Sequence, residues 1–310
     1  IDGGFDRTQY LWTREMMESV CWSLQKGKGR IPMKIGFIGL GNMATAIIGG
    51  LLREDTTLSS EDGNVTVITA ANIIGSAKTE ATRQKRAEQF GIAITASNRE
   101  VAEAADVLVL AVKPQFFPEV IAEIRDAVSA NTLVISIAAG LTLERIAGLF
   151  DRNVTAMRLI RCMPNTPALI NAGCTAVVPG PGATEADEAL CLRLMESFGR
   201  AIVIPERLMD AASATAGSSP AFVFMFIEAL ADGAVAAGMP RAQAYEFAAA
   251  AVAGSAQLVL ETGRHPGDLK DMVCSPGGTT IEGVRALEEG SFRASVMNAI
   301  SACVEKAKAL

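Results

Sequence analysis

Histidine is almost absent: His265 is the only one in 310 residues. Aromatic residues are also scarce, at 5% against 50% hydrophobic overall. Alanine, valine, isoleucine and leucine must therefore build the core, which suits closely packed helices and parallel strands. No Lys/Arg run stands out, the formal net charge is -6 and the isoelectric point is about 5.1. An electrostatic footprint for nucleic acid is thus not expected. None of the six cysteines (Cys21, Cys162, Cys174, Cys191, Cys274, Cys303) forms a Cys-x-x-Cys pair, and no Cys/His cluster has zinc-ligand spacing. They are expected to be reduced, mostly buried thiols of a cytoplasmic protein. The most apolar long run, Pro220 to Gly238, is interrupted by Glu228 and Asp232, so a buried or interface helix is expected rather than a membrane span. Residues 1–32 show no secretory pattern.

The chain length suggests two domains. Residues 1–32 hold both tryptophans and differ in character from the rest of the chain. They are expected to be an extension outside the fold, although Leu11, Met16, Val20 and Leu24 fall near helical spacing. From Met33 onward, short apolar runs alternate with helical patterns. Strands are expected at 34–38, 72–76, 92–95, 107–112, 133–137 and 154–159. Helices are expected at 39–52, 80–90, 98–105, 117–128 and 142–149, and 55–64 is expected to be a polar loop. Strands alternating with helices predict a doubly wound parallel sheet over 33–205. From 206 to 310 no convincing strand appears. Ala/Met/Leu-rich segments at 207–216, 220–237, 241–261, 267–273, 280–288 and 292–308 predict an all-α domain that buries apolar surface against a second subunit.

Gly39-Leu-Gly41-Asn-Met-Ala44 is Gly-x-Gly-x-x-Ala, preceded by a strand and opening a helix. That context predicts a Rossmann NAD(P)-binding domain with a pyrophosphate on the helix N-terminus. An NAD site usually places an acid at the end of the second strand; here the chain reads Gly75-Ser76-Ala77-Lys78. With Ser76 as a donor and Lys78 or Arg83 as cations, NADPH is the expected donor, with NADH the alternative. Ala111-Val112-Lys113-Pro114 and Ala138-Ala139-Gly140 end later strands, where such sheets bind ligands.

At the other end of the chain, His265 lies in the turn-like Arg264-His-Pro-Gly267, which reads as a loop rather than a general base. No paired carboxylates or Ser/His/Asp order stand out. The pattern favours hydride addition to an imine, which needs little acid–base help because a protonated imine is already electrophilic. Ser275-Pro-Gly-Gly-Thr-Thr280 is a second glycine-rich turn opening a helix. Its backbone N–H groups suit a carboxylate, with helix capping by Thr279 or Thr280 as the competing explanation.

Several motifs in order make the chain from Met33 to Leu310 resemble the pyrroline-5-carboxylate reductases. The most specific is Asp268-Leu-Lys-Asp-Met-Val-Cys-Ser-Pro-Gly-Gly-Thr-Thr-Ile281. Phe37 to Ala44, Ala111 to Pro114, Ala138 to Gly140, Arg161 to Pro167, Ser218 to Phe222 and Ala229 to Gly233 support it. The resemblance implies reduction of 1-pyrroline-5-carboxylate to L-proline by NADPH, and a homodimer that can assemble into larger rings. It assigns the pyrophosphate to Ile38, Gly39, Leu40, Gly41, Asn42 and Met43, and the adenosine end to Ser76 and Asn98. Ala111, Val112, Lys113, Pro114, Ala138, Ala139 and Asn165 fall at the ribose and nicotinamide end. Glu206, Gly277, Gly278, Thr279 and Thr280 fall on the substrate, with the Thr280 hydroxyl near the ring nitrogen as the catalytic group. The chain departs from the family pattern at Ser219, Phe222 and Thr279 and in the 55–64 loop. Two other readings stand beside this one. A hydroxyacid dehydrogenase should carry a lysine on the first long helix of the second domain, and none occurs between Arg207 and Gly238. A non-catalytic NADP sensor would bind cofactor without turnover.

Overall fold

The computed structural model describes residues 33–53, 57–59 and 65–308. The 1–32 extension, Cys21 with it, lies outside the described residues. The chain divides into two compact units between Met209 and Asp210.

The first unit opens with β1 (Ile35–Ile38) and α1 (Asn42–Leu51), followed by a hairpin of β2 (Thr57–Ser59) and β3 (Val65–Val67). Next come β4 (Ile73–Ser76), α2 (Glu80–Phe90), β5 (Ala93–Thr95), α3 (Asn98–Ala104), β6 (Val107–Leu110) and α4 (Phe117–Ile124). The unit continues with β7 (Leu133–Ser136), α5 (Leu143–Leu149), β8 (Leu159–Met163), β9 (Gly173–Pro179), α6 (Glu185–Glu196) and β10 (Gly199–Val203). The sheet has eight strands in the order β10-β9-β8-β7-β6-β1-β4-β5. Every neighbouring pair is parallel except β8 and β9. Strands β1, β6 and β7 are buried at every position, as strands covered on both faces must be. The helices start where side chains satisfy their free amides: Thr79, Ser97 and Thr142 accept from the third helical N–H of α2, α3 and α5. The Cys162 and Cys191 sulfurs approach to 3.5 Å in the core as free thiols. Their mutual hydrogen bond and their burial push the Cys191 thiol well up.

Two expectations are corrected. No strand runs over 154–159; a 3-10 turn occupies Val154–Ala156 and β8 begins at Leu159. Asn153 accepts hydrogen bonds from Thr155 N at 2.9 Å and Thr155 Oγ1 at 2.8 Å, which curls the chain, and pairing to β7 starts only at Leu159 opposite Val134. The expected 55–64 loop also contains a strand, because Thr57–Ser59 pairs antiparallel with Val65–Val67. β9, α6 and β10 were not resolved from sequence. β10 is an edge strand with Ile202 and Val203 exposed, so it lacks the continuous apolar signature of the central strands.

The second unit contains no strand among its described residues. Helix α7 (Met209–Ala212), which begins at the unit boundary, runs through a π-helical turn (Ser213–Ser218) into α8 (Ser219–Ala236). Helices α9 (Arg241–Thr262), α10 (Pro266–Val273), α11 (Thr279–Glu289) and α12 (Phe292–Lys308) complete the unit. Ala231, Ala244 and Ala248 form a buried seam where α8 packs on α9, since small side chains let the backbones approach. Phe226 meets Phe292 with ring centroids 5.8 Å apart. The stretch Glu206–Ala236 is long and apolar enough to cross a membrane by length and composition alone. Large apolar side chains remain exposed along the unit, among them Phe224, Met225, Phe247 and Met297 at 62–70%.

Candidate active site

The glycine-rich turn sits at the point where the sheet changes direction. The chain passes from β1 outward through β4 and β5, then returns to β6 on the other side of β1. Such a switch point opens a crevice at the carboxyl ends of the strands. The register sets Ile38 opposite both Ser76 and Leu110, so three strands end at one level. Ala111 N donates to Ile38 O at 2.9 Å, holding the two turns together. Gly39 has φ +95°, and a Cβ there would lie 2.9 Å from Val112 Cγ1 and 3.0 Å from the Ala111 carbonyl. Leu40 is buried over Gly75, and Met43 packs against the core. A Cβ built on Gly41 meets nothing within 4 Å. Helix α1 has no side-chain cap and no acid in its first turn. The protein leaves this cradle open and its amides free, which fits a pyrophosphate. Gly39→Ala is expected to weaken NADPH binding by about 10–100-fold, the scale of ~1–3 kcal/mol of local strain. Cofactor titration by nicotinamide fluorescence checks it; unchanged affinity would show that the clamp is dispensable.

At the end of β4, Ser76 is buried and its hydroxyl donates to Asn98 Oδ1 at 2.7 Å. Asn98 Nδ2 donates to Glu123 Oε2 at 2.7 Å. Arg83 Nη1 donates to the Ala77 and Lys78 carbonyls at 2.9 and 3.1 Å, which places its cation at the β4 exit. Lys78 is exposed. Arg86 Nε donates to Leu40 O at 3.4 Å, on the glycine-rich turn. Sequence reasoning grouped Ser76 with Asn98 and missed Glu123 and Arg86, which are single charges on otherwise ordinary helix faces.

Beyond β6, Ala111, Val112 and Pro114 are half-buried and Lys113 is exposed, preceding a 3-10 turn. After β7, Ala138 is buried and Ala139 exposed. Asn165 is buried, and its Oδ1 accepts from Cys174 N at 2.8 Å, tying the exit of β8 to β9. Glu206 Oε1 accepts from Leu143 N at 2.8 Å and from the buried Arg161 Nη1 at 3.1 Å. Glu206 thus caps α5 and lies within the first compact unit.

In the second unit, Gly278 N donates to Ser275 O at 3.0 Å, and Gly277 has φ +65°. With Pro276 at the second position this is a type II turn, which needs glycine third. It delivers the chain into α11 with Gly278 as the capping residue and no side-chain cap. Thr279 and Thr280 are exposed in the first turn, and neither hydroxyl does the capping that sequence reasoning weighed. His265 does cap: its Nδ1 accepts from Gly267 N at 3.0 Å at the start of α10. Among the described residues no cluster of His, Cys, Asp and Glu suits a metal.

These features have known counterparts. Residues 206–310 match the family model for pyrroline-5-carboxylate reductase dimerisation. Residues 34–140 match the model described as NADP oxidoreductase, coenzyme F420-dependent. The pyrroline-5-carboxylate reductase of Escherichia coli is 50% identical over 277 residues, covering 89% of this chain and 98% of that protein. The chain belongs to the pyrroline-5-carboxylate reductase family. Solved reductases of the family share its fold. The Coxiella burnetii reductase matches with a TM-score of 0.80 at 32% identity, covering 90% of this chain and 98% of that one. The Plasmodium falciparum enzyme, solved with NADP bound, matches with a TM-score of 0.73 at 30% identity, covering 91% and 99%. Family membership gives the exposed apolar side chains of the helical unit a purpose, since a dimerisation domain needs such a surface.

Proposed function

We propose that this reductase converts 1-pyrroline-5-carboxylate to L-proline with NADPH, the last step of proline biosynthesis. The observation that carries this reading is the uncapped start of α11. A type II turn delivers two glycines and two threonine hydroxyls to free helical amides; the 275–280 turn itself carries no acid, and Glu282, in the first turn of α11, is paired with Arg285. The open cradle at Gly41 supports the dinucleotide in the same way. The homologue with NADP bound and the absence of an acid at Gly75–Lys78 support NADPH.

When bound, NADPH supplies the hydride that adds to the C=N carbon, and a proton completes the ring nitrogen. The chain's own residues bind and orient. Ile38 to Met43 hold the pyrophosphate, and Ser76 and Asn98 the adenosine end. Ala111 to Pro114, Ala138, Ala139 and Asn165 flank the ribose and nicotinamide. Backbone amides at the start of α11, from Thr279 onward, fix the carboxylate, Gly277 and Gly278 shape the turn that presents them, Glu206 lies on the substrate side, and Thr280 Oγ1 orients the imine nitrogen. Orienting two bound reactants lowers the barrier by up to ~7–11 kcal/mol, so little acid–base machinery is required. The working form is a cytoplasmic homodimer built through α8 to α12, which can assemble into larger rings.

Absorbance of the reduced nicotinamide on adding 1-pyrroline-5-carboxylate tests this directly. Rapid NADPH oxidation with proline as product is expected. Protein that binds NADPH but oxidises none would overturn the reductase reading in favour of a sensor.

A further inference from the structure

The end of β4 carries no acid in sequence, yet folding brings one there. Glu123, from α4, reaches Asn98, and Asn98 reaches Ser76 at the strand's last residue, each hydrogen bond 2.7 Å long. We infer that Glu123 is a specificity-determining residue at the adenosine end, favouring a ribose 2′-hydroxyl and opposing a 2′-phosphate. This rests on the reading that the cleft takes a nicotinamide dinucleotide.

The direction of each hydrogen bond is fixed by chemistry. A carboxylate only accepts, so the Asn98 amide nitrogen must face Glu123. The Asn98 carbonyl oxygen therefore faces Ser76, and Ser76 must be the donor. Ser76 is 1% exposed and its one hydroxyl proton is directed at Asn98, so it offers no outward donor to a phosphate. Glu123, in contrast, is exposed, and only its Oε2 is engaged by Asn98. The other oxygen is left as an acceptor, the role that an acid at the strand end plays for the ribose in NAD sites. Its charge also repels a phosphate. Lys78 and Arg83 at the β4 exit act the other way and favour the phosphate, so Glu123 narrows the preference for NADPH without reversing it. The same cleft then accepts both donors, and Glu123 sets the balance.

Glu123→Gln tests this, because it removes the charge and keeps an oxygen to accept from Asn98. Affinities for 2′,5′-ADP and 5′-AMP, the adenosine halves with and without the phosphate, are measured by calorimetry without any turnover. The variant is expected to bind 2′,5′-ADP about tenfold more tightly, the scale of one charge-assisted contact, and 5′-AMP no better than the wild type does. In steady state the NADPH/NADH ratio of kcat/KM should rise by a similar factor through KM, with kcat little changed. Glu123→Ala should shift the fragments in the same direction. Equal shifts for both fragments, or no shift, would overturn the inference and leave Glu123 a structural residue. Wild-type protein that binds neither fragment would overturn the dinucleotide reading as well. Binding of both without imine reduction would overturn the proposed reaction alone.

Discussion

Thr280→Ala is expected to lower kcat for imine reduction by about a hundredfold while NADPH affinity stays within about twofold. Thr280 is the second residue of α11, exposed, and its hydroxyl does not cap the helix. Its removal therefore costs the fold little. The loss should fall on the step in which the ring nitrogen gains its proton and the imine is held in line. Thr280→Ser keeps the hydroxyl and should recover most of the rate. Single-turnover kinetics with saturating NADPH, beside a cofactor titration, separate the outcomes. Equal losses of turnover and cofactor affinity would mean that Thr280 supports the turn rather than the reaction.

The second large effect concerns stability. Asp187 is fully buried at the start of α6, where Arg158 Nε donates to its Oδ2 at 3.0 Å and a second guanidinium nitrogen pairs with Oδ1. Thr184 N donates to the same carboxylate at 2.9 Å, completing a capping box. Burial alone would push the Asp187 carboxyl up. The Arg158 hydrogen bonds and charge, with those from Thr184, outweigh burial and hold it below the usual range. Arg158→Met leaves a buried carboxylate without its cation, at a cost of about 3–5 kcal/mol at neutral pH. The thermal midpoint should drop by on the order of 10 °C. The sign with pH is set by the lowered carboxyl. Its contribution is fully present above the unfolded value of ~3.9 and is lost as pH falls through the folded one. In the variant the neutral acid is the favoured form, so acid harms it less. The stability curves of the two proteins should converge below about pH 4. Parallel curves down to pH 3 would show that the Arg158–Asp187 pair is not the source of the difference.

Much of the first unit was legible because its strands are buried on both faces. Val107–Leu110 and Leu133–Ser136 have no polar residue inside the sheet except Ser136, so the apolar run itself marks the strand. Gly39 was equally plain, since its φ of +95° favours glycine; Gly41, with a negative φ and open space around it, was legible through the Gly-x-Gly-x-x-Ala spacing. The helices of the second unit stood out by length and by their proline and glycine boundaries. The strand at 159–163 was misplaced because its start depends on pairing with β7 and on the Asn153 cap, neither of which a local pattern reports. The uneven burial of β10 hid it in the same way.

Residue chemistry and spacing alone therefore determined the two-part architecture, the dinucleotide turn and the 275–280 turn, and the resemblance of its motifs pointed to the family. Tertiary structure decided which polar side chains meet: Glu123 with Asn98, Arg161 with Glu206, Arg158 with Asp187. It also turned His265 from an open question into a helix cap. Backbone-driven features repeat along the chain and can be read locally. Contacts between side chains 25 to 45 positions apart exist only once the sheet has set its strand order.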